Sequence, residues 1–588
     1  MLKKSSKQTV LCHAACLSLF LLTCLLTGPD NFRAPHKFLP DLQDTVLAMA
    51  LMSWPAHCLQ LVHCSIADFP IFYPEKNTLF FTDSLVGIGF IFNSLKAFLS
   101  IHLSYNLTLL TLAAFNFYSF FLLMRFARIR YLSAFISSTA FAAIPYILQF
   151  GSHIQLYTLF FWPLSLLFLL KFFEVHKILW LYCISIALAL TFYLSMSIAI
   201  KQFFYVVIAL LISLLSSRSV ECKNLLRFRW PVRVVISMLI SATILMPLAY
   251  QYYQVRKIHP FIRDISDSIP YSLDLMALPR YLLSFGVSSN TLNVWGFNAD
   301  SLQKYDDLVL GGLMPWAVCF VMIVSLIMFQ GSEQILSLNP RTQRLLRISS
   351  VSLVVSAILM LGPNIVIAGN VTEIPSLYKL FYYVVPGFNA LRVPVRFVIP
   401  LVIYASIILG VCLDSFVGGL FQTSSKKKKM TAFALCSILI FAFVVDRSYP
   451  YSERPQAWTK ANIPVAYDVV RENPGAPVLE LPMWPPARNT FKYFYYLMQD
   501  WNPRLGGISS FFPESFYKLR GQTNNCPTKE CLEFISQSKA EILIVHLQSL
   551  GSEQRMLWNN AMLDDYGFKL QSQSDLNTMI WLRNRLAS

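Results

Sequence analysis

Eleven apolar segments, each long enough to cross a lipid bilayer, dominate this chain of 588 residues. They lie near residues 10–27, 105–124, 131–149, 153–171, 178–197, 200–217, 233–252, 310–329, 348–368, 396–417 and 431–447. Inside lipid such a segment is stable as a helix, because every backbone group must then be hydrogen-bonded internally. The chain is only 13% charged, whereas soluble domains carry about 25%. The sequence therefore predicts a polytopic α-helical membrane protein with about 11 transmembrane helices.

The basic residues between these segments predict the orientation of the helices. The net charge is +17, but short basic clusters in alternate loops are typical of membrane topology and not of a nucleic-acid-binding surface. With a cytoplasmic N-terminus, the clusters that fall inside are Arg125/Arg128/Arg130, Lys171/Lys177, Arg218 through Arg233, Arg341/Arg344/Arg347 and Lys426–Lys429. The acids gather in the opposite loops, mainly 28–104 and 253–309. Segment 10–27 is interpreted as a retained span and not as a cleaved signal peptide.

The segment 85–101 is also apolar, but counting it as a span would place the run Lys426–Lys429 outside. It is therefore predicted to be an interfacial or re-entrant helix on the outer face. An odd number of spans also places the polar residues 448–588 outside. There Val478–Pro482, Ala540–His546 and Met579–Arg583 are predicted strands, and Cys531–Gln537 a short helix. The predicted domains are a membrane domain, 1–447, with an outer loop 28–104, and a small α/β extracytoplasmic domain, 448–588.

Four of the twelve cysteines lie on the predicted outer side, as the pairs Cys58/Cys64 and Cys526/Cys531. Their spacing permits two short disulfides in an oxidising compartment. Free buried thiols are the alternative, and for the first pair the sequence favours neither.

Four polar clusters converge on the outer ends of the predicted helices. Ionisable residues at such positions are costly unless they pair, face water or take part in chemistry. The clusters are Asp41, Asp44, His57 and Tyr73–Asn77 in loop 28–104; His153 and Gln155 after Gly151; Arg256, Lys257, His259, Asp306 and Asp307 in loop 253–309; and Arg392 and Arg396 before the tenth span.

An aspartate and two arginines on one face suit the transfer of a sugar from a lipid-linked phosphate. The acceptor hydroxyl must lose a proton, and the carboxylate of Asp44 can accept it. The departing phosphate gains charge, and the guanidinium groups of Arg392 and Arg396 match phosphate oxygens. If the chain is already helical there, these two arginines share one side of the helix. His153 and Gln155 would orient the donor or the acceptor, and Asp41 and His57 are further candidates for binding the substrate or its phosphate.

Each of these residues also has a purely structural interpretation. Asp44 is a favoured residue for capping the helix that follows it, and Asp41 is then an ordinary loop acid or a neighbour of the site. His57 and His153 are interfacial hydrogen-bonding residues in this view. Arg392 and Arg396 would be anchors at the membrane surface.

The chain resembles the bacterial integral-membrane glycosyltransferases of the GT-C class, and more narrowly a group of large bacterial membrane proteins with an extracytoplasmic C-terminal domain. The matching stretches are Asp44 through Trp54 with His57, Ile71 through Leu79 with Asp83, Pro145-Tyr, His153 through Gln155, Trp162-Pro-Leu, Asp306 through Gly312, Leu391 through Phe397, Leu479 through Pro482, Tyr495-Tyr, Asp500 through Pro503 and Gly507 through Pro513. The group usually has Gly-Asp-Pro around its catalytic acid, whereas this chain has Gln43-Asp44-Thr45.

The resemblance implies an inner-membrane, inverting glycosyltransferase with a polyprenyl-phosphate sugar donor and a periplasmic glycan or lipid-linked acceptor. In the GT-C class the catalytic base is an acid of the first outer loop, which is Asp44 by position. A divalent metal, Mg or Mn, is used by some relatives, although no ligand spacing in this chain is diagnostic of one. The alternatives are a transporter or flippase for a lipid-linked saccharide, and a non-catalytic envelope-assembly protein.

Overall fold

The structure is a computed structural model. It describes residues 2–143, 151–216, 230–259, 261, 263–276, 338–385, 387–422, 454–483, 491–561, 563–574 and 578–583. The predicted spans 310–329 and 431–447, the basic run Lys426–Lys429, and Asp306 and Asp307 lie outside the described residues.

Helices occupy the nine predicted apolar segments that the described part of the chain includes in whole or in part. In the described part of the chain before the C-terminal domain, the α-helices of eight or more residues are α1 Leu2–Thr27, α2 Asp44–Cys58, α3 Val86–Lys96, α4 Ile101–Phe126, α5 Tyr131–Ala142, α6 Phe161–Val175, α7 Leu179–Leu194, α8 Met196–Leu215, α9 Trp230–Ile258, α10 Pro340–Met360, α11 Leu377–Val384 and α12 Val398–Gln422. Within the described ranges, seven helical segments are long and apolar enough to cross a membrane. The chain is a multi-pass membrane protein.

The helix α4 separates two chemically different ends of the bundle. At its C-terminal end, Arg341 donates to the carbonyl of Phe126 at 3.0 Å and pairs with Glu174. At its N-terminal end, the hydroxyl of Tyr105 donates to the carbonyl of Gly151 at 2.8 Å. A helix of 26 residues separates these ends by roughly 40 Å. The basic clusters around Arg125, Lys171 and Arg341 therefore share one end, and the turn that carries His153 lies at the other.

The predicted span 348–368 is displaced along the chain. The helix α10 begins at Pro340, because the Asn339 side chain caps it by accepting from the N–H groups of Arg341 and Thr342 at 3.1 Å each. The helix ends at Met360, and the chain then forms an antiparallel hairpin of β1 Asn364–Ile367 and β2 Asn370–Pro375. The segment 85–101 contains α3, whose eleven residues extend about 16 Å, which is too short to cross a bilayer.

The C-terminal domain is built on a four-stranded sheet with the order β3-β4-β6-β5. The strands are β3 Val478–Leu481, β4 Ile542–His546, β5 Phe568–Ser574 and β6 Thr578–Arg583. The described α-helices of eight or more residues are α13 Lys492–Asp500, α14 Glu514–Thr523, α15 Lys529–Gln537 and α16 Ser552–Asn559. The pair β3–β4 is parallel, whereas β4–β6 and β6–β5 are antiparallel. The three predicted strands and the helix at Cys531 are present, and β5 is an addition. Both cysteine pairs form disulfides, each with 5.4 Å between the Cα atoms.

The C-terminal domain is attached to the outer loop 28–104 by backbone hydrogen bonds. Residue Tyr73 donates to the carbonyl of Arg504 at 2.9 Å, and Arg504 donates to the carbonyl of Pro70 at 3.0 Å. A Cβ added at Gly507 would lie 2.8 Å from Cβ of Ile71, so a side chain at this position would disturb the contact. The loop that carries Asp44 is therefore held between the membrane helices and the C-terminal domain.

Candidate active site

Asp41 and Asp44 lie at the start of α2, and the side chain that accepts backbone N–H groups there belongs to Asp41. Its Oδ1 atom accepts hydrogen bonds from the backbone N–H groups of Gln43 and Thr45, each at 3.0 Å. The interpretation of Asp44 as the capping residue is therefore wrong. Its carboxylate is available for other contacts.

The carboxylate of Asp44 contacts the imidazole of His153, which lies in the turn before α6. Nε2 of His153 is 3.5 Å from Oδ2 of Asp44, and Oγ of Ser152 is 3.2 Å from Nδ1 of the same ring. A Ser152 hydroxyl that donates to Nδ1 selects the tautomer with its hydrogen on Nε2. That hydrogen then faces the carboxylate.

Burial and neighbouring charges set the protonation of this pair. Burial raises the pKa of Asp44 to about 6; nearby Asp41 raises it further and Arg396 opposes the shift. The Asp44 side chain still keeps 45% of its surface exposed, so water reaches the carboxylate. Burial and Arg396 lower the pKa of His153 to about 3, which leaves its imidazole neutral at pH 7. Asp44 is therefore the proton acceptor of the two, with a pKa suited to a general base.

Arg396 connects this pair to the rest of the site. It lies in a 3-10 turn, Pro394–Phe397, directly before α12. Its guanidinium acts electrostatically on Asp44, His153 and Asp83 together. The structure thus brings Asp44, His153 and Arg396 into one neighbourhood, although Asp44 and Arg396 are far apart in the sequence.

Arg392 does not share a helix face with Arg396, because α12 begins only at Val398 and the chain at Arg392 is not helical. The Arg392 guanidinium instead lies over the ring of Tyr271, 5.0 Å from its centroid. Its neighbour Arg263 lies over the ring of Phe511 at 4.4 Å. Burial, Arg392 and, more weakly, Arg396 lower the pKa of Arg263 to about 10, against the influence of nearby acids. The four-residue spacing therefore gives proximity but not a shared face.

Arg263 and Arg392 line a cavity of about 570 Å³ between the membrane domain and the C-terminal domain. Its wall combines charged, hydroxyl and aromatic side chains. Those on the membrane domain are Phe261, Arg263, Ser266, Asp267, Pro270, Tyr271 and Arg392, and those on the C-terminal domain are Ser510, Phe511, Phe512 and Tyr517. This volume lies within the range of small-molecule sites, about 300–1,000 Å³.

The remaining two predicted residues lie in different surroundings. Gln155 is partly buried in the 3-10 turn Ile154–Tyr157, two residues from His153. His57 is thirteen residues along α2 from Asp44, which is about 20 Å. Its ring stacks on Trp501 of the C-terminal domain at 5.0 Å. This stack joins the outer loop to the C-terminal domain, and a substrate-binding role for His57 stays a prediction.

Two charged residues near Arg396 were not among the predicted site residues. Asp83 accepts a hydrogen bond from the Ser195 hydroxyl at 3.1 Å, and burial raises its pKa against the opposing influence of Ser195 and nearby cations. Lys201 is 2% exposed, and its charged neighbours are Arg396 and Asp83. The sequence did indicate Lys201, since it is a single lysine inside the apolar segment 200–217 and a charge within a span is rare unless it has a function.

A divalent metal does not fit the surroundings of Asp44. Mg²⁺ and Mn²⁺ prefer several oxygen ligands, whereas Asp44 faces an imidazole and is influenced by a guanidinium, and Asp41 is engaged as a helix cap. Over the ranges that the structure describes, His, Cys, Asp and Glu form no cluster of three that could hold an ion. No step of the mechanism is therefore assigned to a metal.

Two solved structures superpose on nearly the whole chain. The arabinofuranosyltransferase AftD from Mycobacteria matches with a TM-score of 0.56 at 13% identity, over 97% of this chain and 41% of AftD. The apo oligosaccharyltransferase of Archaeoglobus fulgidus matches with a TM-score of 0.51 at 12% identity, over 98% of this chain and 75% of that one. The chain has the GT-C fold.

This GT-C chain spans about two fifths of the length of AftD. No family model and no curated protein matches the sequence. At these identities the superpositions establish the fold, and a function has to be argued from the site itself.

Proposed function

We propose that this protein is a membrane glycosyltransferase that moves a sugar from a polyprenyl-phosphate donor to a glycan or lipid-linked acceptor on the periplasmic side of a bacterial inner membrane. The observation that carries the proposal is the contact of Asp44 with His153 at 3.5 Å, under the electrostatic influence of Arg396, at the end of the bundle opposite the basic clusters. A base, a neutral hydrogen-bond donor and a cation are the groups that this reaction needs.

In the proposed reaction the acceptor hydroxyl gives its proton to the Asp44 carboxylate. The acceptor oxygen forms a bond to the anomeric carbon as the bond between that carbon and the phosphate oxygen breaks. The electron pair of the broken bond remains on the phosphate, which leaves as polyprenyl phosphate, and attack from the opposite face inverts the anomeric centre. Arg396 stabilises the charge that develops on the phosphate, because paired guanidinium N–H groups match its oxygens.

His153 keeps the base in position and in its reactive form. The neutral imidazole, with Nε2 at 3.5 Å from the Asp44 carboxylate, supplies no competing positive charge. Its pKa of about 3 keeps it neutral throughout the range in which Asp44 titrates. Gln155 lies in the same turn and would contact the donor or the acceptor.

The cavity lined by Arg263 and Arg392 is the proposed site of the acceptor. It lies beside Arg396, whose charge reaches Arg263 as well as Asp44. The rings of Tyr271 and Phe511 offer flat apolar surfaces to sugar rings, and the two guanidinium groups favour acceptors that carry an anionic group. In this proposal Arg392 contacts the acceptor, and Arg396 holds the donor phosphate.

The test uses purified protein in lipid nanodiscs with a panel of polyprenyl-phosphate pentoses and hexoses, and it measures the release of polyprenyl phosphate. The wild type is expected to consume at least one donor, and Asp44→Asn is expected to lose at least about 100-fold in kcat, as for the loss of a general base. The matched control is Asp30→Asn, which removes an acid of the same outer loop that pairs only with Arg33 among its described neighbours, at 2.6 Å. A wild-type rate in Asp44→Asn would refute the proposal.

A further inference from the structure

Lys201 has a charge in a costly position. It lies in α8, a helix long and apolar enough to cross a membrane, and only 2% of its surface is exposed. An ammonium inside an apolar helix is destabilised unless it is paired, hydrogen-bonded, reached by water or functional. Among the residues that the structure describes, no carboxylate oxygen lies within 4.0 Å of its Nζ atom, and no acceptor is hydrogen-bonded to it.

The nearest acid, Asp83, is occupied at the start of the same helix. Its carboxylate accepts from the Ser195 hydroxyl at 3.1 Å, and the nearby backbone N–H of Met196, the first residue of α8, favours its ionised form. A carboxylate is favourable at a helix N-terminus because of the exposed N–H groups and the helix dipole. Asp83 therefore has a structural function of its own, and it compensates the charge of Lys201 only from a distance.

A second cation lies beside Lys201. The ammonium is 5.7 Å from the ring centroid of Phe397, the residue next to Arg396, and the guanidinium of Arg396 is its like-charged neighbour. Two cations held together in buried surroundings repel each other, and an anion between them would remove that repulsion. Lys201 lies five residues inside α8, which is about 8 Å from the helix start.

We propose that Lys201 and Arg396 together form a binding subsite for a phosphate carried on a lipid. The inference rests on the proposed function for the identity of that lipid as the polyprenyl-phosphate donor. Arg396 presents paired N–H groups to the phosphate, and Lys201 contributes a compact positive charge from the membrane side. Because Arg396 also acts on Asp44, a phosphate held here would place the anomeric carbon next to the base.

The test compares Lys201→Met and Lys201→Arg in the full chain, reconstituted in nanodiscs. The probes are polyprenyl phosphate, polyprenol without phosphate, and inorganic phosphate, and binding is measured by calorimetry. Lys201→Met is expected to weaken the binding of polyprenyl phosphate by about 10- to 100-fold, the range for loss of one charge-assisted contact, and to leave polyprenol binding unchanged. Lys201→Arg, which keeps the charge, is expected to stay within about threefold of the wild type.

Thermal unfolding separates this function from a structural one. A methionine suits a buried site in a membrane helix, so Lys201→Met is expected to keep or raise Tm, whereas a structural lysine would lower it on removal. The control is Lys171→Met, since Lys171 lies at the opposite end of the bundle over the ring of Trp180 at 4.2 Å. This control is expected to bind polyprenyl phosphate as the wild type does.

Unchanged binding of polyprenyl phosphate in Lys201→Met would overturn the inference, and so would an equal loss of polyprenol binding. A loss confined to inorganic phosphate would overturn the assignment to a lipid. The outcome is independent of sugar transfer. If Lys201→Met loses lipid-phosphate binding but the wild type consumes no donor, the subsite stands and the proposed function fails. If Asp44→Asn is inactive but Lys201→Met binds polyprenyl phosphate normally, the proposed function stands and the subsite fails.

Discussion

Replacing Asp41 with asparagine is expected to move the acidic limb of the kcat profile to lower pH. The base must be ionised to act, and the pKa of Asp44 is about 6. The ionised fraction is therefore about 90% at pH 7 and about 10% at pH 5, so kcat of the wild type should fall nearly tenfold between these values. Asp41 is the charged neighbour that raises the pKa of Asp44, and its removal is expected to move the limb by roughly 0.5–1 pH unit.

Asparagine is the matched substitution because it also accepts the hydrogen bonds of a helix N-terminus and should keep α2 capped. Replacing Arg396 with glutamine is expected to shift the limb in the opposite direction, since this guanidinium lowers the pKa of Asp44. The assay is initial donor consumption at saturating donor from pH 4.5 to pH 8, in buffers of equal ionic strength, with recovery of activity at pH 7 as a check on folding. Unchanged limbs in both variants would refute the assignment of Asp44 as the titrating base.

Three further outcomes are expected. Replacing His153 with glutamine, which keeps an N–H donor, should lower kcat less than replacing it with alanine, and both rates are measured by donor consumption. Replacing Glu480 with glutamine should lower the free energy of unfolding by about 3–5 kcal/mol, because its buried carboxylate accepts from Arg504 at 3.2 Å. The control Glu533→Gln, at an exposed ion pair, should change that free energy by less than about 1 kcal/mol. Both values are measured by denaturant unfolding. Replacing Trp501 with alanine should expose the outer loop to limited proteolysis, because the ring stacks on His57.

The membrane helices and their grouping were predictable because they depend on hydrophobic length and on the distribution of basic residues. Arg341 contacts Phe126 and Glu174, and these contacts place three of the predicted cytoplasmic clusters at one end of the helix bundle. The ends of individual helices were less predictable. Asn339 caps the helix and Pro340 is its first residue, so the helix begins there although its first turn is polar. For this reason α10 begins before the apolar segment that predicted it.

The site was predictable in its components and not in their roles. Asp41 and Asp44 are equivalent in the sequence, and only the backbone hydrogen bonds of Asp41 distinguish the cap from the available carboxylate. The proximity of His153 to Asp44 depends on the tertiary packing of distant helices. The separation of His57 from Asp44 was not predictable, because a loop position gives no indication of distance along α2. Lys201 was missed because one lysine scarcely changes the hydrophobicity of its segment.

The account depends most directly on Asp44 as the acid that makes transfer possible. Its sharpest measurement is mass spectrometry of envelope glycans from a deletion strain that carries either the wild-type protein or Asp44→Asn, with both proteins present at equal levels in the membrane. We expect the deletion to lose one glycan species, the wild type to restore it and Asp44→Asn to leave it absent. Restoration by Asp44→Asn, or an unchanged glycan profile in the deletion strain, would contradict the account.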